Sequence, residues 1–326
     1  MDRVAVVIPS NRNVDFLENW QQQFEKARIH IVEDHSNRKI KIPDLGLDIS
    51  HYTWEDIDKD LKNDSWIISK KSDAIRSYGF LKAFQENSKI IVSLDDDCFP
   101  MQLNPLIQGH LENLNSAIPN DKWFSTLQGV DFTPRGYPHG SFKKVMLSVG
   151  GWMPRPDLDA ETQLKFPDAM ISSDNLATGP VPSGKFFPMS GMNIAFRREA
   201  TPMMYFPLMG EGYEFNRYAD IWCGIVAKKI CDYIGYAVVI GRPLISHKRK
   251  SNNETNLELE KSAMLVNEYF WRLIDARHLA APHTIDDCYC SIACNLRTGT
   301  FQKDQHFKYW ERLSMAMETW LSLLRE

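Results

Sequence analysis

The chain has 326 residues, 43% of them hydrophobic and 25% charged, with a net charge of −4, enough for a substantial core in one large domain or a domain with a helical extension. The mild acidity gives no overall pull toward nucleic acid or an anionic membrane, and His247-Lys248-Arg249-Lys250 is too short a basic cluster to argue for DNA. No apolar run approaches bilayer-spanning length and Met1-Asp2-Arg3 leads straight into a strand pattern, so a soluble, cytoplasmic protein is expected.

Residues 3–9 form a near-continuous apolar run, the signature of a strand in a sheet covered on both faces, ending at Pro9. Ser10 offers a helix N-cap before Val14, Phe16, Leu17 and Trp20, whose spacing fits one helical face. Further strands are predicted at 29–32, stopping at Glu33-Asp34, and at 65–69, and a helix at 74–84 leads into Lys89-Ile90-Ile91-Val92-Ser93. This alternation predicts a doubly wound α/β sheet with its ligand crevice at the carboxyl ends of the strands.

Residues 103–241 are rich in Pro, Gly and aromatics, which suits long ordered loops around a site, closed by a strand at 236–241. Beyond Asn252, apolar residues at three- and four-residue spacing predict helices at 254–276, 285–296 and 303–324. A catalytic domain over 1–250 and a C-terminal helical subdomain over 251–326 packed on it are therefore expected. Cys288, Cys290 and Cys294 fall within a predicted helix without a paired CxxC and read as reduced thiols, not a zinc knuckle.

The chemistry lies in Leu94-Asp95-Asp96-Asp97-Cys98-Phe99. Adjacent acids at a buried strand end repel one another and lose hydration, so they require a cation. Oxygen ligands favour Mn2+ or Mg2+, which commonly holds nucleotide phosphates. A solvated acidic turn is the competing reading, set against an apolar strand in front and Cys-Phe behind. Pro9, Asp34 and the three aspartates are expected along one rim. Asp34 would accept hydrogen bonds from a base or ribose, or cap a helix. Arg12 and Arg76 present paired donors to phosphate, or form surface salt bridges. His247 follows a strand, as a metal ligand or a structural histidine.

Several segments fall in one order over nearly the whole chain: Val7-Ile8-Pro9-Ser10-Asn11-Arg12-Asn13, the triple-aspartate motif, Pro134-Arg135-Gly136-Tyr137-Pro138, Gly151-Trp152, Pro156-Asp157-Leu158-Asp159-Ala160-Glu161, Phe187-Pro188-Met189-Ser190-Gly191-Met192-Asn193, Arg217-Tyr218-Ala219-Asp220-Ile221-Trp222 and His247-Lys248. Together they resemble the reversibly glycosylated polypeptide family, whose best-known members are UDP-arabinopyranose mutases. The resemblance implies a glycosyltransferase A-type α/β fold with a mixed sheet flanked by helices. It also implies a Mn2+- or Mg2+-dependent UDP-sugar site without flavin, interconversion of the two ring forms of UDP-arabinose, glycosylation on an arginine of the Arg-Gly-Tyr-Pro motif, and homo- or hetero-oligomers.

On that pattern Asp95, Asp97 and His247 hold the metal, while Pro9, Arg12, Asp34, Arg76, Asp95 and Asp96 bind the nucleotide. Arg135 contacts the sugar or clamps phosphate. Asp220 takes a proton from O4 during ring contraction, or from an acceptor hydroxyl. Tyr137 and Trp152 stack on sugar or base, Asp157, Asp159 and Gln163 bind sugar hydroxyls, and Gly191, Met192 and Asn193 give a close backbone approach to ligand. The chain departs from the family in offering only Lys143 and Lys144 near the place of a second arginine, in Ala219 where paired acids are common, and in a short loop at 123–130. A metal-dependent glycosyltransferase and a non-catalytic UDP-sugar-binding subunit are the alternatives.

Overall fold

The computed structural model describes residues 3–101, 105–120, 122–124, 126–127, 130, 132–138, 140–248, 252–279 and 284–325. Along β1 (Val4–Ser10), Ala5 and Val7 point into one apolar layer and Val4, Val6 and Ile8 into the other, the period of two that buries a strand on both faces. β2 (Arg28–Glu33) and β3 (Asp48–Tyr52) extend the sheet on one side and β4 (Ile90–Leu94) on the other, all parallel. Between them in the chain come α1 (Gln21–Phe24), α2 (Trp54–Leu61) and α3 (Arg76–Gln85).

Two expectations fail here. The third strand is Asp48–Tyr52, whereas Lys62–Ile67 forms a 3-10 helix whose Ile67, with Ile68 beyond it, packs in the core without strand pairing. Ser10 caps nothing: Val14 precedes the 3-10 helix Asp15–Asn19 without a side-chain cap, and the Ser10 hydroxyl turns to Asp96 instead.

Beyond β4 the sheet becomes mixed. The chain continues through β5 (Cys98–Pro100), α4 (Leu106–Leu114), a small hairpin of β6 (Ile118–Pro119) and β7 (Phe142–Lys143), and β8 (Val145–Met153). It then forms α5 (Ala160–Lys165), β9 (Gly179–Pro180), β10 (Asn193–Arg197), α6 (Ala219–Ile234) and β11 (Ala237–His247). The nine-stranded order is β3-β2-β1-β4-β10-β8-β11-β5, with β9 also paired to β11. The region expected as long loops thus supplies two central strands. Gly150 and Gly151 disguise β8, yet packing demands the first of them: a Cβ on Gly150 would lie 2.5 Å from the Pro243 carbonyl oxygen of β11.

β11 runs past its expected end at Gly241. After an irregularity between Gly241 and Leu244 it resumes pairing and carries His247 opposite Cys98 of β5, beside the triple aspartate. The predicted C-terminal helices form as α7 (Asn253–Asp275), α8 (Ile285–Asn295) and α10 (Phe307–Leu323), with a short α9 (Gly299–Gln302) between the last two. They pack on α6 through aromatic rings: Trp222 stacks on Phe270 at 4.4 Å and lies 5.6 Å from Trp310. One apolar layer joins these helices to α2, α3 and α6 on one face of the sheet, and α4 covers the other. The boundary expected at residue 250, with Arg249 and Lys250 of the basic cluster, lies outside the described residues. Among the described residues no helix is long and apolar enough to cross a membrane.

Candidate active site

At the carboxyl ends of β1, β2 and β4 opens a crevice of about 270 Å3, walled by Pro9, Arg12, Asp34, Asp73, Arg76, Asp95, Asp96, Asp97, Asp157, Met192, Arg217 and His247 among others. The parallel strands end together here, so their terminal loops converge. Most of the wall is charged, and Asp95, Asp96 and Asp97 are matched by cations of the protein itself.

Arg76 opens α3 and is only 2% exposed. Its Nη2 stands 2.9 Å from Asp95 Oδ1, Nη1 donates to Ser93 Oγ at 2.8 Å and to the Gly191 carbonyl at 2.6 Å, and Nε donates to the Asp73 carbonyl at 2.9 Å. Burial raises the Asp95 carboxyl above its usual range, and Arg76 opposes that rise. Asp96 accepts from Ser10 Oγ and from Arg12 Nε, the latter at 2.8 Å. Asp97 lies 3.4 Å from His247 Nε2 and 3.5 Å from Arg12 Nη2. Burial would raise its carboxyl, but His247 and Arg12 outweigh burial and lower it. His247 shows the reverse balance: burial disfavours its charge, and the Asp97 contact raises its pKa nonetheless.

Asp34 accepts from Trp54 Nε1 at 2.9 Å and from the Lys71 amide at 2.8 Å, tying the loop after β2 to the loop before α3 rather than capping a helix. Asp220, in the first turn of α6, accepts from the Gly191 amide at 2.9 Å. Burial and the charge of Asp73 lift its pKa to about 8 despite the Gly191 hydrogen bond and Arg76. At neutral pH it is a neutral carboxylic acid able to give a proton, the kind of perturbed group that clefts use for acid–base work.

A second cavity of about 220 Å3 adjoins the crevice, sharing Asp157 and His247 with it and adding Arg155, Gln163, Phe166 and Asn253. Other expected ligand contacts lie elsewhere. Asp159 caps α5 by accepting from the Thr162 amide at 2.8 Å and its hydroxyl at 2.7 Å. Asn193 is fully buried at the start of β10, bonded to His110, the Gly151 carbonyl and the Pro243 carbonyl. The close approach at Gly191 is to protein: a Cβ there would sit 3.0 Å from Arg76 Nη1 and from a Phe206 ring carbon. Trp152 packs against the apolar layer beside α4.

Arg135 is exposed and lines neither cavity, and Tyr137 is buried between Trp123 and Phe142, its hydroxyl without a partner among the described residues. Asp73, Arg155 and Arg217 are crevice or cavity residues that sequence reasoning missed. The signal for Asp73 was its place in Ser72-Asp73-Ala74-Ile75-Arg76, where Ser72 caps the turn leading into α3. Arg217 had only its place at the head of Arg217-Tyr218-Ala219-Asp220, just before α6.

Asp95, Asp97 and His247 are a donor set of the kind that binds a hard divalent cation, and Asp95 Oδ1 is buried without a well-aligned hydrogen bond. Among the described residues, however, no three such side chains converge as a ready ligand cluster.

The family model described as "Reversibly glycosylated polypeptide" matches residues 1–326. The "Probable UDP-arabinopyranose mutase 1" of Pisum sativum is 37% identical over 98% of this chain and 90% of its own length. "UDP-arabinopyranose mutase 3" of Arabidopsis thaliana is 35% identical over 100% and 91%, and "UDP-arabinopyranose mutase 1" of Oryza sativa subsp. japonica 35% identical over 98% and 90%. With a mixed α/β sheet flanked by helices, a match along its whole length and relatives this similar, the chain belongs to the reversibly glycosylated polypeptide family.

Proposed function

We propose that this protein interconverts UDP-arabinopyranose and UDP-arabinofuranose, the activity for which its relatives are named, in the crevice at the ends of β1, β2 and β4. The observation that carries this reading is a crevice that gathers Asp95, Asp96 and Asp97 with Asp73, Asp157 and Arg76, the last three acting on the charge of Asp220, a carboxylic acid whose pKa of about 8 suits proton transfer near neutrality. Exchange of ring oxygens requires one proton placed on O5 as the six-membered ring opens and one removed from O4 as the five-membered ring closes. Asp220 serves as that acid and then that base, and is restored at the end.

Departure of the diphosphate from C1, to which it bonds again once O4 has replaced O5, puts negative charge where the crevice arginines stand. A divalent cation, when bound, supplies further neutralisation of that charge, and Asp95, Asp97 and His247 are the residues that would hold it. Arg135, exposed outside the crevice, is assigned as the arginine that receives the sugar in reversible glycosylation. A cytoplasmic location and oligomeric assembly belong to the same reading. The adjoining cavity favours a second one, transfer of the sugar to an acceptor seated there.

Chromatography of UDP-arabinopyranose incubated with the protein, with Mn2+ and with a chelator, tests the proposal. The expected result is conversion to the furanose form that stops on chelation. Release of UDP without furanose would move the assignment to the transferase.

A further inference from the structure

Arg217 is the crevice arginine left without an aspartate to neutralise. Arg12 is engaged by Asp96 and Asp97 and Arg76 by Asp95. Arg217 gives only its Nε, to Glu260 Oε1 at 3.1 Å, and among the described residues its two terminal amines have no partner. Its backbone lies at φ 62, the left-handed region that a residue with a side chain enters only under constraint. The side chain is held as well. Glu260, on α7, is 5% exposed, and its other oxygen accepts from the Ala160 amide at the start of α5 at 2.7 Å. One buried carboxylate thus fastens α5 and Arg217 to the C-terminal helices, and Arg217 lines the crevice.

A phosphorylated ligand entering a wall rich in aspartates meets repulsion unless a cation with spare donors receives it. A guanidinium with two unpaired amines offers the planar fork that phosphate oxygens accept from. We infer that Arg217 binds the diphosphate of the nucleotide sugar and that Glu260 is its positioning residue, so that α7 takes part in substrate binding. The inference rests on the nucleotide-sugar reading of the crevice.

Calorimetric titration of the wild type, Arg217→Ala, Arg217→Lys and Glu260→Gln with UDP, uridine and inorganic pyrophosphate, in Mn2+, tests it. Arg217→Ala is expected to weaken UDP and pyrophosphate by about tenfold or more and leave uridine unchanged, since loss of charge-assisted hydrogen bonds falls on the phosphates alone. Arg217→Lys should fall between, and Glu260→Gln should show the same pattern, more weakly, with a melting temperature near that of the wild type. Wild-type UDP affinity in Arg217→Ala, or an equal loss for uridine, would overturn the assignment, and unchanged UDP affinity in Glu260→Gln would overturn the positioning role. A wild type that binds pyrophosphate through Arg217 but not UDP would sink the nucleotide reading and keep the anion site; one that binds none of the three removes both.

Discussion

The crevice and the segment carrying Arg135 treat groups of opposite character in opposite ways. In the crevice, the three consecutive aspartates are drawn into the protein and each is matched: Asp95 by Arg76, Asp96 by Arg12 and Ser10, Asp97 by His247. Around Arg135, apolar rings are left in water, with Phe124 81% and Phe132 66% exposed, while Tyr137 is tucked under Trp123 and Phe142. A matched, buried charge network fixes geometry before any ligand arrives, whereas exposed rings contribute little to the folded state. Substitutions in the first region should therefore cost stability as well as binding, and those in the second should alter function alone.

The largest effect is expected at Arg76. Replacing it by Met leaves the buried Asp95 Oδ1 without its guanidinium and only Ser93 Oγ donating to the Gly191 carbonyl, and removing one partner of a buried pair costs about 3–5 kcal/mol. Urea unfolding at pH 7 measures this, and a loss within the error of the extrapolation would show that the network is not what holds the loops together.

Next comes Asp220. Its folded pKa of about 8 lies above the ordinary aspartate value of 3.8 that the unfolded chain approaches, so the folded state holds an extra proton between those limits. That stabilising difference is fully present below the lower limit and is lost as pH rises through about 8. Asp220→Asn removes the slope, and its melting temperature relative to the wild type should climb steadily from acid to alkaline pH. A constant difference would mean that Asp220 ionises like an ordinary carboxylate.

The smallest effect on folding belongs to Arg135. Arg135→Ala should unfold within about 0.5 kcal/mol of the wild type, as exposed substitutions do. Intact-mass spectrometry after incubation with UDP-arabinose should nevertheless find that it no longer gains the mass of one pentose. A large loss of stability would erase the contrast between the two regions.

The same contrast explains what was legible in the sequence. β1, β2 and β4 are buried on both faces, so their apolar runs stand out and their ends mark the rim where Pro9, Asp34 and the three aspartates meet. α7, α8 and α10 bury one face each and show it as periodicity. β3, by contrast, is an edge strand of Asp48-Ile49-Ser50-His51-Tyr52 that is only partly buried, so its polar residues concealed it, while the more apolar 65–69 run was core packing.

Polar residues were the least readable. Asn193 and Gly191 looked like ligand contacts, but one satisfies buried carbonyls and the other makes room for Arg76. Arg217 depends on Glu260, 43 positions away on α7, and local sequence carries no trace of a partner brought in by tertiary packing.

The central claim is that the crevice, with Asp220 as its proton carrier, performs the ring interconversion. Its most direct test is the rate of conversion of UDP-arabinopyranose by the wild type and by Asp220→Asn, measured beside UDP affinity for both. The account predicts conversion by the wild type and a variant that still binds UDP but converts about 100-fold or more slowly, the scale of a lost general acid–base. A variant that converts at the wild-type rate would contradict it.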